Sequence, residues 1–213
     1  MNTLEIYQRC VIDLDKYDTP TFEIEDFNRY AEKAIYEYIN EKYKEFEITQ
    51  KRTDDLRQFV TISTIAVSNQ DFVALPEDYL RLLKLEYQIT DLPCYDKRWV
   101  VVQKTNADKL GYSEENYYWK PSLSNPQYQF IKNNIYFRVG EGNNTNISAV
   151  RLEYIMKPEL YLIDPSDLGT YSNPSYSDEV DMQIIDKIVR LFQASTNPNQ
   201  YQIAVAENQF KNN

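Results

Sequence analysis

The sequence predicts an α+β protein: an N-terminal helical bundle, an antiparallel β-meander domain, and C-terminal helices returning to the bundle. Three observations carry this reading. Apolar residues recur at helical spacing as far as Lys44, β-branched and aromatic residues alternate with polar ones from Thr61 to Met156, and helical spacing resumes at Asp178. Strands are thus grouped between helices, where a doubly wound fold would alternate them. The expected parts are residues 1–60, a β domain over 61–163 with an inserted excursion at 105–126, and a connecting loop with C-terminal helices over 164–213.

Leu4, Ile6, Tyr7, Cys10, Val11 and Leu14 predict a first helix that Asp18-Thr19-Pro20 ends. The next runs from about Glu25 to Lys44. Phe27, Tyr30, Ala31, Ala34, Ile35, Tyr38 and Ile39 form its apolar stripe, and Arg29, Glu32, Lys33 and Glu37 line the other sides. Lys51 to Phe59 predicts a third, shorter helix. Thr61–Val67, Asp71–Leu75, Leu82–Ile89 and Arg98–Gln103 read as strands, with a single helical turn opened by Pro76-Glu77-Asp78. Between Thr105 and Pro126 the aromatics Tyr112, Tyr117, Tyr118 and Trp119 argue for an ordered excursion, being too many for a flexible spacer.

Tyr128–Ile131 and Ile135–Val139 predict a hairpin around Lys132-Asn133-Asn134, where Asn tolerates the left-handed conformation. A second hairpin is expected through Gly140–Asn144 into Val150–Ile155. After Leu160–Ile163, a loop spans Asp164 to Ser177. Ser177 then caps a helix with Asp178, Glu179 and Asp181 in its first turn and Val180, Ile184, Ile188, Leu191 and Phe192 along its stripe. Asn197-Pro198 opens a final polar helix toward Phe210.

The composition excludes much chemistry. Among 213 residues there is no His, which removes Ser-His and Cys-His pairs and His-ligated zinc. Four Gly leave little material for phosphate-cradling loops. Net charge is −10, from 23 Lys and Arg against 33 Asp and Glu, which disfavours gripping a phosphate backbone. Cys10 and Cys94 lack metal or disulfide spacing and fit reduced cytoplasmic synthesis. No run approaches the roughly 18 apolar residues of a membrane span, and the first residues lack the basic start and apolar run of a signal peptide. With 19 Tyr against 9 Phe and 2 Trp, the aromatics suit surfaces that a partner covers.

Candidate sites fail one by one. The pairs Asp54/Asp55 and Glu114/Glu115 are sequence neighbours that do not face one another across a substrate. Asp13, Asp15 and Asp18 lack the glycine and distal Glu of a calcium loop. Gly140-Glu141-Gly142 leads into a strand, not a helix, and reads as a turn. Asn143 and Asn146 open glycan acceptor patterns but read as loop residues. No catalytic residue, metal site or cofactor is expected. Tyr112, Tyr117, Tyr118 and Trp119 suit stacking on a sugar or burial against a neighbouring chain; nucleic acid would need more cations than Lys120.

Several segments together resemble a known family. These are Phe72-Val73-Ala74-Leu75-Pro76-Glu77-Asp78-Tyr79-Leu80-Arg81-Leu82, then Tyr128 to Phe137, then Val150-Arg151-Leu152-Glu153-Tyr154-Ile155-Met156-Lys157-Pro158, and the acid-capped helix from Asp178. In this order, following a helical N-terminal region, they resemble the head-to-tail connector proteins of tailed bacteriophages, the adaptor or tail tubular ring beneath the portal. The Tyr-, Asn- and Lys-rich, Gly-poor style is similar to that of crAss-like phages. The resemblance implies a non-enzymatic virion protein at the head-tail junction, assembled in the host cytoplasm. Its partners would be the portal, neighbouring copies in a ring of about twelve, and further neck or tail proteins, with DNA passing through the bore without specific binding. Under this reading Tyr112, Tyr117, Tyr118 and Trp119, and the tip at Asn143 and Asn144, are expected to make contacts between chains. The terminal helix toward Phe210 is expected to order on docking. A carbohydrate- or peptide-binding accessory domain, or a neck or tail completion protein one layer further out, is the alternative.

Overall fold

Asn2 opens the first helix. Its side-chain Oδ1 accepts the Glu5 N–H at 2.8 Å, and the Glu5 carboxylate accepts the Asn2 N–H at 3.0 Å. This reciprocal capping box satisfies two N–H groups that a helix start leaves orphaned. In the computed structural model, which describes residues 1–15, 22–49, 56–67, 71–90, 98–105, 120–140 and 146–196, the helix is α1 (Thr3–Asp15) and buries Thr3, Ile6, Cys10 and Leu14. Helix α2 (Ile24–Thr49) buries Phe27, Ala31, Ala34, Ile35, Tyr38 and Ile39, the predicted stripe apart from Tyr30, which is only half-buried. Of the short helix expected at 51–59, the described part is a 3-10 turn, Arg57–Phe59. The final helix toward Phe210 lies outside the described residues.

Helix α3 (Asp178–Thr196) starts where Ser177 stops the chain. The Ser177 carbonyl accepts the Asp181 N–H at 3.0 Å, and its hydroxyl accepts the Val180 N–H at 3.4 Å. Val180, Ile184, Ile185, Ile188, Val189 and Phe192 are buried, and α3 packs on both α1 and α2. The seam is aromatic: Phe192 lies edge-on to Phe22 at 4.7 Å and to Tyr30 at 5.7 Å, and Tyr7 meets Phe27 at 5.4 Å. Such pairs are worth about 0.5–1.5 kcal/mol beyond the area they bury. The chain divides into two compact units, this helical one (Met1–Gln58 with Pro158–Asn213) and a β unit (Phe59–Lys157).

The β unit has two four-stranded sheets. One has the order β1 (Val60–Ala66), β8 (Ile147–Met156), β3 (Tyr79–Ile89), β4 (Arg98–Val101); the other β2 (Phe72–Ala74), β7 (Asn134–Arg138), β6 (Gln127–Ile131), β5 (Gln103–Lys104). Among the described residues these strands pair antiparallel save β5–β6. Leu85, Tyr87, Val150 and Leu152 of the first sheet cluster with Val73, Ile135 and Phe137 of the second, and Tyr87 meets Phe137 edge-on at 5.1 Å. Alternation along each strand produces this core. In β7, Ile135 and Phe137 are buried while Asn134, Tyr136 and Arg138 are not.

The meander is interleaved, so four local expectations change. The second hairpin does not form, because β7 and β8 belong to different sheets and β8 instead fills the gap between β1 and β3. Pro76-Glu77-Asp78 makes no helical turn; the Tyr79 N–H returns to the Pro76 carbonyl at 3.1 Å and the chain enters β3 at once. In the β6–β7 turn the left-handed residue is Lys132, at φ 55°, not an asparagine. The loop from Asp164 contains a hairpin, β9 (Ile163–Asp164) with β10 (Asp167–Tyr171), in the helical unit.

Candidate interaction surfaces

The residues that the sequence nominates for contact between chains, Tyr112, Tyr117, Tyr118, Trp119, Asn143, Asn144 and Phe210, lie outside the described residues. Asp18, the pairs Asp54/Asp55 and Glu114/Glu115, and Cys94 do too. What the structure gives for the first two groups is their attachment. The 105–126 excursion joins β5 to β6, and both its ends are pinned. The Gln103 N–H donates to the Pro126 carbonyl at 3.1 Å and the Thr105 N–H to the Tyr128 carbonyl at 2.9 Å; the buried Thr105 hydroxyl donates to Gln127 Oε1 at 2.6 Å. The Asn143–Asn144 loop leaves β7 through Gly140, at φ 90°. It returns at Asn146, whose carbonyl accepts the Thr90 N–H at 2.8 Å.

A surface that sequence reasoning missed is the β9–β10 hairpin. Residues 164–171 are all exposed, yet side chains hold their backbone. Asp164 accepts the Ser166 N–H at 2.8 Å, while Asp167 accepts the Gly169 N–H at 3.0 Å and the Thr170 hydroxyl at 2.8 Å. The Thr170 hydroxyl and Gly169 N–H hold the Asp167 carboxyl below its ordinary range. At the base, the Asn28 amide both donates to and accepts from the Ile163 backbone, at 2.8 and 2.9 Å. The Ser172 hydroxyl bridges the Leu162 N–H and the Leu160 carbonyl. From this braced arm project Leu162, Leu168 and Tyr171, which are 43%, 54% and 37% exposed. The signal was present in Asp164-Pro165-Ser166-Asp167, two side-chain-to-backbone turns back to back between apolar flanks.

The β unit has its own exposed apolar ground. Beside β4 lies a groove of about 430 Å³ lined by Ile89, Arg98, Trp99, Val101 and Leu123, with Val101 56% exposed. Trp99 is held from the sheet side by the Arg151 guanidinium, 4.0 Å from the ring centroid. Arg151 is in turn paired with Glu86 at 3.1 Å, and Lys84 reaches the same carboxylate at 2.8 Å.

Charge is divided unevenly. Residues 1–58 with 158–213 hold 22 carboxylates against 12 Lys and Arg, and residues 59–157 hold 11 against 11. The helical unit therefore carries the entire −10 and the β unit is neutral. The buried carboxylate Asp181 is locally compensated. It accepts the Tyr161 hydroxyl at 2.5 Å and the Met1 α-amine at 2.9 Å. Among the described residues no group of three or more Cys, Asp or Glu side chains is placed to hold a metal, and no helix is long and apolar enough to cross a membrane. Cys10 is fully buried among core residues, and that burial pushes its thiol well up.

A search of curated proteins finds no match. The sequence does match the family described as SU10 adaptor protein, over residues 1–213. The chain belongs to the SU10 adaptor protein family.

Proposed function

We propose that this protein is a structural virion component, a head-to-tail connector that closes into a ring under the portal and forms part of the DNA conduit between capsid and tail. The observation that carries the reading is the adaptor-family match over the whole chain. Its chemistry agrees: a net charge of −10 lets a duplex slide past by repulsion. The role is mechanical, with no catalysis and no cofactor. Neighbouring copies, the portal and further tail or neck proteins are its partners, the virion head-tail junction its location and the host cytoplasm its place of assembly. The Tyr-, Asn- and Lys-rich style supports a crAss-like phage as the source.

Within this reading Tyr112, Tyr117, Tyr118 and Trp119, together with Asn143 and Asn144, make contacts between chains, and the segment toward Phe210 orders on docking. The test is the native mass of the purified protein, alone and mixed with portal from the same phage. A ring of about twelve subunits, or recruitment onto portal, is the expected result; a monomer that ignores portal overturns it. Binding to tail proteins without portal would place the protein one layer further out. Deleting 112–119 tests the excursion. Of the 22 residues between β5 and β6 it leaves 14, enough for a parallel crossover, so assembly should fail while the β unit still folds.

A further inference from the structure

We infer that the β9–β10 hairpin of one copy seats in the β4 groove of the next copy, a head-to-tail contact that would close the ring. The inference rests on the connector reading above and names the surfaces that reading leaves open.

Three observations meet here. First, the hairpin is exposed from Asp164 to Tyr171 yet conformationally fixed by the Asp164, Asp167 and Ser172 hydrogen bonds. Anchored at its base by Asn28, the hairpin presents Leu168 and Tyr171 to solvent in a fixed geometry. Ordering them before contact lowers the entropy cost of docking. Second, the groove beside Trp99 and Val101 is apolar, is open to solvent, and at about 430 Å³ has room for side chains of that size. Third, the charges match. The hairpin belongs to the unit that carries the whole −10 and bears Asp164 and Asp167, whereas the groove belongs to the neutral unit and has Arg98 on its wall. Two hairpins facing one another would oppose like charges, and so would two helical units. The complementary arrangement joins unlike patches of successive copies. Such a heterologous contact propagates until rotation closes it, which is how a cyclic ring forms.

The test combines two variants, each read in the assembled state, alone and with portal. Leu168 is exposed, so Leu168→Asp should keep the circular dichroism of the native chain and lower the ring population at least about tenfold where the native chain is assembled. Chains carrying Leu168→Cys and Val101→Cys together, in a Cys94→Ser background, should cross-link on oxidation into a ladder extending beyond dimer, because each copy supplies one thiol to each neighbour. If Leu168→Asp assembles like the native chain, or the ladder stops at dimer, the contact is overturned and the connector reading stands. If the native chain forms no ring in either condition, the connector reading falls and takes this contact with it.

Discussion

The Tyr161 hydroxyl donates to Oδ1 of Asp181 at 2.5 Å, twenty residues on and one turn into α3. With the Met1 amine on the other oxygen at 2.9 Å, the carboxylate is 1% exposed and fully partnered. Removing the acid would leave a buried hydroxyl and a cation without it. Asp181→Ala is therefore expected to destabilise the helical unit by about 3 kcal/mol, and Tyr161→Phe by about 1–2 kcal/mol. Urea unfolding followed by far-UV circular dichroism measures both.

The same contact sets a pH dependence. Hydrogen bonds to Asp181 and then Asp178 hold the Met1 amine above its ordinary value of 8.0. A group whose folded pKa is raised contributes stability that is full below the unfolded value and lost as pH rises through the folded one. Unfolding midpoints should thus decline as pH rises above about 8. Asp181→Asn should flatten that slope; an unchanged slope would show that the amine is not the titrating group.

In the β unit, burial and then the hydrogen bond to Asp78, at 2.9 Å, push Tyr154 up to about 12. The sign is the same: this contribution is complete below pH 10 and disappears as pH climbs toward 12. Tyr154→Phe should cost about 1 kcal/mol at neutral pH and remove that alkaline loss. Absorbance at the tyrosinate band, followed with the unfolding signal, tests it.

Lys132 at φ 55° sits in the region that side chains other than Gly and Asn avoid. Lys132→Asn is expected to stabilise the β unit by about 0.5–1 kcal/mol, whereas Lys132→Val should destabilise it by more than about 1 kcal/mol. Thermal melting of the two variants gives the comparison.

How much of this the sequence disclosed depends on the range of the interaction. The α2 stripe from Phe27 to Ile39 and the Ser177 cap follow from spacing and from one side chain, and both could be read directly. Asp181 could not. In the first turn of a helix an acid suits the dipole whether or not it is buried, and only the fold brings Tyr161 and Met1 to it. Similarly, Val150–Met156 alternates as a strand should, but alternation does not name its neighbours. Pairing of Leu152 with Ser63 on one side and Leu85 on the other is decided by contacts some 70 to 90 residues away in sequence. The β9–β10 arm was hidden because β10 buries nothing, and burial is what gives a strand its pattern. The aromatics of the excursion lie outside the described residues, but the parallel strands that it joins require a long connection there.

Those two strands, Gln103–Lys104 and Gln127–Tyr128, run in the same direction. Chain leaving the end of one must travel the length of the other before starting it, so no tight turn can replace residues 105–126. Because the Gln103–Pro126 and Thr105–Tyr128 bonds fix where the segment departs and returns, what lies between behaves as a cassette. A change in its length above the crossover minimum, or in its chemistry, leaves every ladder between the described strands in register. The frame of the β unit and the content of this crossover are thus separable, and one can be exchanged without redesigning the other.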